Sequence, residues 1–334
     1  MTARRVLASD VGGTRARLAL FLVEAGAPPR LERSTVYQAR EFAGLDAVVD
    51  RFLAEQGGPS VAGACLGVAG PVHDNRASLT NLGWEVDGDR LAATLGVRAE
   101  LINDLVATAL GLALLTSDDL LDLNPGAAQP DGNGVLLGAG TGLGMALLVW
   151  SGERILAVPS EGGHVELAAR DEEQWRLRQW LSARLGGRVS VERVASGTGL
   201  RNLFEFLVAD GIEPSREVAR GIASGLDAGK LIGEAGLAGT CAASVRALDL
   251  FASILGAVAG DMALVTAARG GVYLGGGVSV RLADKLSDGS FLRAFLDKGR
   301  NSSFVERVPV RLLLRADTAL WGAGRRAAEL AGEG

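Results

Sequence analysis

Short apolar runs separated by glycine-bearing turns fill the N-terminal third of the chain. "VLASDVG", "ARLALFLV" and "STVYQA" predict three consecutive strands, each short and bounded by turn residues. "GLDAVVDRFLAEQGG" places apolar residues at helical spacing and ends on glycines, so it predicts an amphipathic helix with a glycine stop. "SVAGACLGVAGPV" is a small-residue apolar run ending in a Gly-Pro turn, the pattern of a buried strand. "GDRLAATLG" predicts a short helix, "RAELIND" a strand and "LVATALGLALL" a further helix. Three strands followed by alternating helices and strands predict a mixed sheet flanked by helices, an α/β architecture.

A second copy of the opening unit begins near residue 134. "GTRARLALFLV" from Gly13 aligns with "GTGLGMALLVW" from Gly140 at a constant offset of 127 residues. Gly13/Gly140, Thr14/Thr141, Ala19/Ala146 and Leu20/Leu147 coincide, and an apolar strand precedes the glycines in both copies. Two copies of one strand-turn-strand unit imply two related domains facing each other across a cleft. The second half carries more helix: "DEEQWRLRQWLSARLGG", the segment after "VERVASGTGL", and a long apolar stretch "LDLFASILGAVAGDMALVTAA". A strand, "GGVYLGGGVSV", runs into a triple-glycine turn, and "VPVRLLL" and "DTALWGAGRRAAELAG" predict a last strand and a closing helix.

Composition narrows the class. The 334 residues exceed one compact core, and 48% hydrophobic with 22% charged residues is ordinary globular usage. A net charge of -5 argues against a nucleic-acid partner and fits an enzyme of anionic metabolites, whose phosphate sites must then be built locally. Two cysteines, Cys65 and Cys241, form neither a disulfide framework nor a zinc pattern. No apolar segment of signal length precedes Asp10, and the long apolar stretch is interrupted by Asp261. It reads as a buried helix, so the expected compartment is the cytoplasm, with no membrane contact.

Four constellations carry candidate chemistry. "SDVGGTRARLALF" sets Asp10 before Gly12, Gly13 and Thr14 but lacks the lysine of a P-loop. A bare turn lets backbone N–H groups converge on an oxyanion, a threonine adds a donor, and Asp10 can hold Mg²⁺ through water. A plain β-hairpin is the alternative for either turn alone; Gly140, Thr141 and Gly142 supply the second. In "AELINDLVATA", Asp104 is either a helix N-cap or a general base, and Asn103 stands ready for a neighbouring hydroxyl. In "VPSEGGHVEL", two glycines bring Glu161 and His164 to one side, which suits a polyhydroxylated ligand; a structural turn is the alternative. Glu192 precedes a Ser-Gly-Thr-Gly turn, and alone it reads as a surface acid. Gly275, Gly276 and Gly277 end a strand where a base and ribose could lie against bare backbone, or where a helix packs tightly on a strand.

Taken together, "DVGGTRARLAL", "LTNLGW", "INDLVA", "GAGTGLG", "EGGHVEL", "ERVASGTGL" and "GGVYLGGGV" resemble, in order, the bacterial glucokinases of the hexokinase superfamily. The resemblance spans Asp10 to the "LWGAG" near residue 322 and is to the type without a zinc-binding cysteine cluster. It implies a two-domain actin/hexokinase-like (ribonuclease H-like) fold with a duplicated mixed sheet and an interdomain cleft. The small domain would be residues 1–113 plus 316–334, and the large domain 114–315.

It also implies roles: ATP-dependent phosphorylation of D-glucose to glucose 6-phosphate, the first step of glycolysis. Asp104 would be the base and Asp10 would sit near Mg²⁺. Thr14 and Thr141, with Gly12, Gly13, Gly140 and Gly142, would contact the ATP phosphates. Asn103, Asp104, Glu161, His164 and Glu192 would bind glucose, and Gly275, Gly276 and Gly277 would pack near the adenosine. A homodimer is the expected assembly. One departure stands out: the family usually has asparagine where this chain has Arg15, which either adds a charge-assisted contact to ATP or points to solvent. Rival readings are a kinase for mannose, fructose or an N-acetyl sugar, a non-catalytic sugar sensor, and a sugar-independent ATPase.

Overall fold

The computed structural model describes residues 3–24, 26–152 and 154–332. The chain divides into two compact units, Met1–Asp118 with Arg315–Gly334, and Asp119–Leu314.

The first unit is built on strands β1 (Arg4–Val11), β2 (Arg15–Val23), β3 (Arg30–Gln38) and β4 (Ala64–Val68). A hairpin of β5 (Arg76–Leu79) and β6 (Trp84–Asp87) follows, then β7 (Ala99–Asn103). The main sheet runs β3-β2-β1-β4-β7, with β1, β4 and β7 parallel and the β1-β2-β3 meander antiparallel. Both faces are covered. Leu7, Val11, Leu18 and Leu20 pack with Leu45, Val48 and Phe52 on one side, whereas Val6, Ala8, Ala19 and Phe21 pack with Ala107, Leu320 and Ala323 on the other. This is why polar alternation in β2 stops after Arg17: an internal strand between two apolar layers needs no wet face. The β5–β6 hairpin carries no strong strand pattern in the sequence and takes its shape from packing Leu79 and Trp84 into that core.

Two helices lie on the second face, Asp104–Gly111 and Thr318–Gly332. Their backbones touch, because a Cβ on Gly322 would collide with the carbonyl oxygen of Ala107. That close approach docks the C-terminal helix on the helix that begins with Asp104.

The second unit repeats the plan with β8 (Leu120–Asn124), β9 (Gly134–Ala139), β10 (Leu143–Trp150), β11 (Ile155–Ser160), β12 (Gly271–Gly275) and β13 (Val310–Leu313). Its order is β11-β10-β9-β12-β13-β8, the order of the first sheet with one strand added at the edge. The repeat is real in topology, but the offset is not constant. Asp10 pairs with Arg17 in the first hairpin and Gly138 with Gly144 in the second. The following strand therefore keeps the 127-residue offset while the leading strand shifts by one, because the second turn is one residue shorter. The counterpart of Asp10 is thus Gly138, and only the first hairpin carries an acid.

The long apolar stretch forms a 24-residue helix, Ala242–Val265. By length and composition alone it could cross a membrane, but most of its apolar window is buried within the unit. The charge that interrupts it is met by Lys298, whose Nζ lies 2.6 Å from Asp261 Oδ1.

Candidate active site

In the first unit the candidate groups gather at the C-terminal ends of the parallel strands β1, β4 and β7, where ligands of α/β sheets bind. β1 ends in Asp10 and Val11 and turns through Gly12, Gly13 and Thr14 into β2, closed by Gly12 N donating to Arg15 O at 2.9 Å. Strand parity puts Asp10 on the face of Val6 and Ala8, the face that carries the helix of Asp104. Across the ladder Asp10 is in register with Arg17.

Asn103, not Asp104, caps the helix that follows β7: its Oδ1 accepts from Leu105 N at 2.9 Å and from Val106 N at 3.4 Å. Its Nδ2 donates to Gly70 O at 3.0 Å. The capping duty so assigned leaves Asp104 as the first helical residue, its Oδ1 accepting from Leu105 N at 2.9 Å. Burial and then the charge of Asp10 raise the Asp104 pKa to about 6, against the pull of the Leu105 and Asp104 amides and of the Asn103 side chain. Asp10 is also pushed up, first by burial and then by Asp317, while Arg17 pulls it down.

In the sequence Arg17 shows only the strand parity it shares with Arg15, and Asp317 carries no signal of this site. Asp317 accepts from Arg315 Nε at 3.0 Å and from Trp321 Nε1 at 3.2 Å, so it is fixed at the head of the closing helix. Only the ladder register, which sequence does not display, brings Arg17 beside Asp10.

In the second unit three motifs distant in sequence converge on one peptide, that of Leu143. Glu192 Oε2 accepts from Leu143 N at 3.0 Å. A Cβ on Gly163 would collide with Leu143 O, and one on Gly142 with the Glu192 carboxylate. The "EGGH" segment is a short 3-10 turn, Gly162–His164, seated against the start of β10. It leaves the Glu161 and His164 side chains exposed, with His164 Nε2 3.7 Å from Glu161 Oε2. Glu192 is half-buried rather than a free surface acid.

Beside this peptide lies a cavity of about 550 Å³, lined by Gly140, Thr141, Thr198, Arg201, Asp227 and Arg281 among others. Gly197 N donates to Gly140 O at 2.8 Å and Thr198 Oγ1 to Thr141 O at 3.2 Å, which ties the turn to the first residues of the helix Gly197–Ala209. A second helix, Ala228–Leu237, also starts at the cavity and is capped by Asp227, whose Oδ1 accepts from Lys230 N at 3.0 Å. Two helix N-termini and two arginines make the cavity attractive to anions. Of the triple glycine only Gly277 lines it; Gly275 ends β12, and Gly276, at φ +88°, abuts Ala139 O. Thr198, Arg201, Asp227 and Arg281 were missed in sequence, where a helix cap or a surface arginine carries no mark of its neighbours.

The glycines sort themselves by what needs them. Gly142, Gly163 and Gly276 are required by packing against the protein's own atoms. Gly140 has open space where a Cβ would go, and Gly12 and Gly13 have only ordinary contacts there; none has a positive φ. Neither conformation nor packing demands glycine at those three positions, so their bareness leaves room for something else to approach the backbone. The Thr14 and Thr141 hydroxyls likewise bond to no described residue.

Among the described residues no group of three or more His, Cys, Asp or Glu could hold a metal by itself. The half-buried Asp10 carboxylate, with no hydrogen-bond partner among the described residues, fits a divalent ion shared with ligand phosphates rather than a protein cage.

Two units of one strand order, each offering a bare glycine-hydroxyl turn at the C-terminal end of a central strand, β1 in one and β9 in the other, define a nucleotide-using enzyme of the actin/hexokinase-like fold. The profile of the glucokinase family matches residues 7–330. A glucokinase from Synechocystis sp. is 37% identical over 97% of this chain and 98% of its own length. The solved structure of a glucokinase from an Antarctic psychrotroph superposes with a TM-score of 0.84 at 30% identity, covering 98% of this chain and 99% of that one. That of a glucokinase from Balamuthia mandrillaris, in complex with glucose, gives 0.80 at 23% identity over 97% and 94% of the two chains. The chain belongs to the glucokinase family.

Proposed function

We propose that this enzyme of the glucokinase family transfers the γ-phosphoryl group of ATP to the 6-hydroxyl of D-glucose, with Asp104 as general base. The observation that carries the role of Asp104 is the division of labour at the end of β7. Asn103 takes the helix cap, and burial beside Asp10 tunes the freed carboxylate to a pKa of about 6. Such a group is mostly ionised at neutral pH yet basic enough to accept the hydroxyl proton as the oxygen attacks phosphorus.

The Asn103 side-chain amide, anchored to Gly70 O and beside Asp104, is placed to meet a sugar hydroxyl. Glu161, His164 and Glu192 supply carboxylate and imidazole groups for the remaining hydroxyls, the mixture that suits a polyol. Gly12, Gly13 and Thr14 in one unit, and Gly140 and Thr141 in the other, bind phosphate oxygens through backbone N–H groups and free hydroxyls. Gly142 serves that turn indirectly, by making room for Glu192. The cavity lined by Thr198, Arg201, Asp227, Gly277 and Arg281 takes the nucleoside. Asp10 holds Mg²⁺ through water, and the ion when bound neutralises phosphate charge. The residues just named align the acceptor oxygen and remove its proton. The domain limits proposed from sequence, 1–113 with 316–334 and 114–315, are supported by compact units whose junctions fall at Asp118/Asp119 and Leu314/Arg315.

The reading places the enzyme in the cytoplasm, as a homodimer. A coupled assay of ADP release against a panel of hexoses and phosphoryl donors tests it. Glucose with ATP should give the highest kcat/KM; a higher value for mannose, fructose or an N-acetyl sugar would reassign the substrate, and ADP release without sugar would make it an ATPase. Light scattering at several concentrations checks the dimer.

A further inference from the structure

The N-terminal ends of β12 and β13 hold a cavity that the proposed reaction does not use. It measures about 440 Å³ and is lined by Gln129, Arg269, Ser303, Phe304 and Arg307, together with small apolar residues. The bare turns of the same unit lie beyond the opposite, C-terminal ends of β9 and β12. A five-residue strand separates the two ends by roughly 16 Å.

Three features give this cavity a chemistry. Its only charged lining groups are two arginines, in a chain whose net charge is -5. Neither Arg269 nor Arg307 pairs with a carboxylate among the described residues, so both guanidinium charges are left for a ligand. The Arg269 guanidinium lies over the Phe304 ring, 6.0 Å from its centroid, which holds the cation in place without consuming its hydrogen-bond donors. The backbone supports that placement: Arg269 follows Ala267, held at φ +48°, and the Arg269 carbonyl accepts from Gln129 N at 2.9 Å.

We infer that this cavity is a second ligand site for a small phosphomonoester, separate from the proposed active site. Two forked guanidinium groups bind the phosphate dianion, Gln129 and Ser303 meet hydroxyls of the carbon skeleton, and the Phe304 ring takes its C–H face. A cavity of this size admits a three- to six-carbon phosphate and excludes a nucleic acid backbone or a protein segment.

Calorimetric titration of the full chain with glycerol 3-phosphate tests the inference, alongside the Arg269→Gln/Arg307→Gln double variant and, separately, Gln129→Glu. All three substituted side chains line an open cavity, and Gln129→Glu adds a carboxylate without removing packing. The wild type should show saturable binding, and both variants should bind at least about tenfold more weakly. Their glucose phosphorylation in the absence of glycerol 3-phosphate should stay within about twofold of wild type. Absence of saturable binding to the wild type, unchanged affinity in the double variant, or loss of phosphorylation together with the binding would each overturn a separate site. The glucose reading is judged by its own assay and is untouched by any of these results.

Discussion

Glu192 Oε2 accepts a hydrogen bond from the backbone N–H of Leu143 at 3.0 Å, a contact between residues 49 positions apart. It fastens the segment before the helix Gly197–Ala209 to the start of β10 and leaves the second carboxylate oxygen for a ligand. Glu192→Gln retains an acceptor for Leu143 and loses the charge. It should raise the KM for glucose by about tenfold or more, the scale of a lost charged hydrogen bond, with the melting temperature little changed. Equal KM values in steady-state kinetics would assign Glu192 to structure alone.

The glycines on either side of that contact should respond in opposite ways. Gly163→Ala pushes a methyl group into the Leu143 carbonyl, a collision that backbone on both sides cannot relieve. It should cost at least about 1–3 kcal/mol of stability in denaturant unfolding. Gly140→Ala meets no protein atom, so folding should be normal, while the KM for ATP rises several-fold through obstruction of the phosphates. A normal KM for ATP in Gly140→Ala would remove this turn from the phosphate site.

Asp104→Asn should lower kcat by ~10²-fold or more while the KM for glucose stays within a few-fold. In the wild type, kcat/KM should fall as pH drops through about 6, where the base takes up its proton. Stability runs the other way. Because the folded-state pKa lies above the ordinary value of 3.8, the folded protein binds the Asp104 proton more tightly, and this site favours folding more as pH falls from about 6 towards 4. Asp104→Asn, which removes the buried charge, should therefore raise the melting temperature at pH 8 relative to wild type and lose that advantage near pH 4. Thermal scans at both pH values check the sign.

Arg15 and Arg17 share strand parity but not surroundings. Arg15 is exposed and its side chain meets no described partner, whereas Arg17 is half-buried opposite Asp10. Arg15→Asn should leave the KM for ATP within about twofold. A larger rise would mean that Arg15 reaches the nucleotide.

The sequence by itself determined the elements and their repetition. Apolar strands before and after Gly12–Gly13–Thr14 and Gly140–Thr141–Gly142 announce two hairpins, because strand periodicity and glycine turns are local properties written within a few residues. The acid at Asp10, the Asn103–Asp104 pair and the Glu161–His164 turn were legible for the same reason. What only the tertiary structure decided is which of these groups share surroundings. That Asn103 caps the helix and frees Asp104 depends on backbone angles at the end of β7. That the second turn is one residue shorter, and its copy of Asp10 a glycine, depends on ladder register, where a slip of one residue is invisible in an apolar pattern. That Glu192 is a docked carboxylate rather than a solvated one, that Arg17 faces Asp10, and that Arg269 and Arg307 line a cavity with no carboxylate partner among the described residues depends on long-range packing. Local sequence does not encode it, because burial and electrostatic neighbours are set by segments tens to hundreds of residues away.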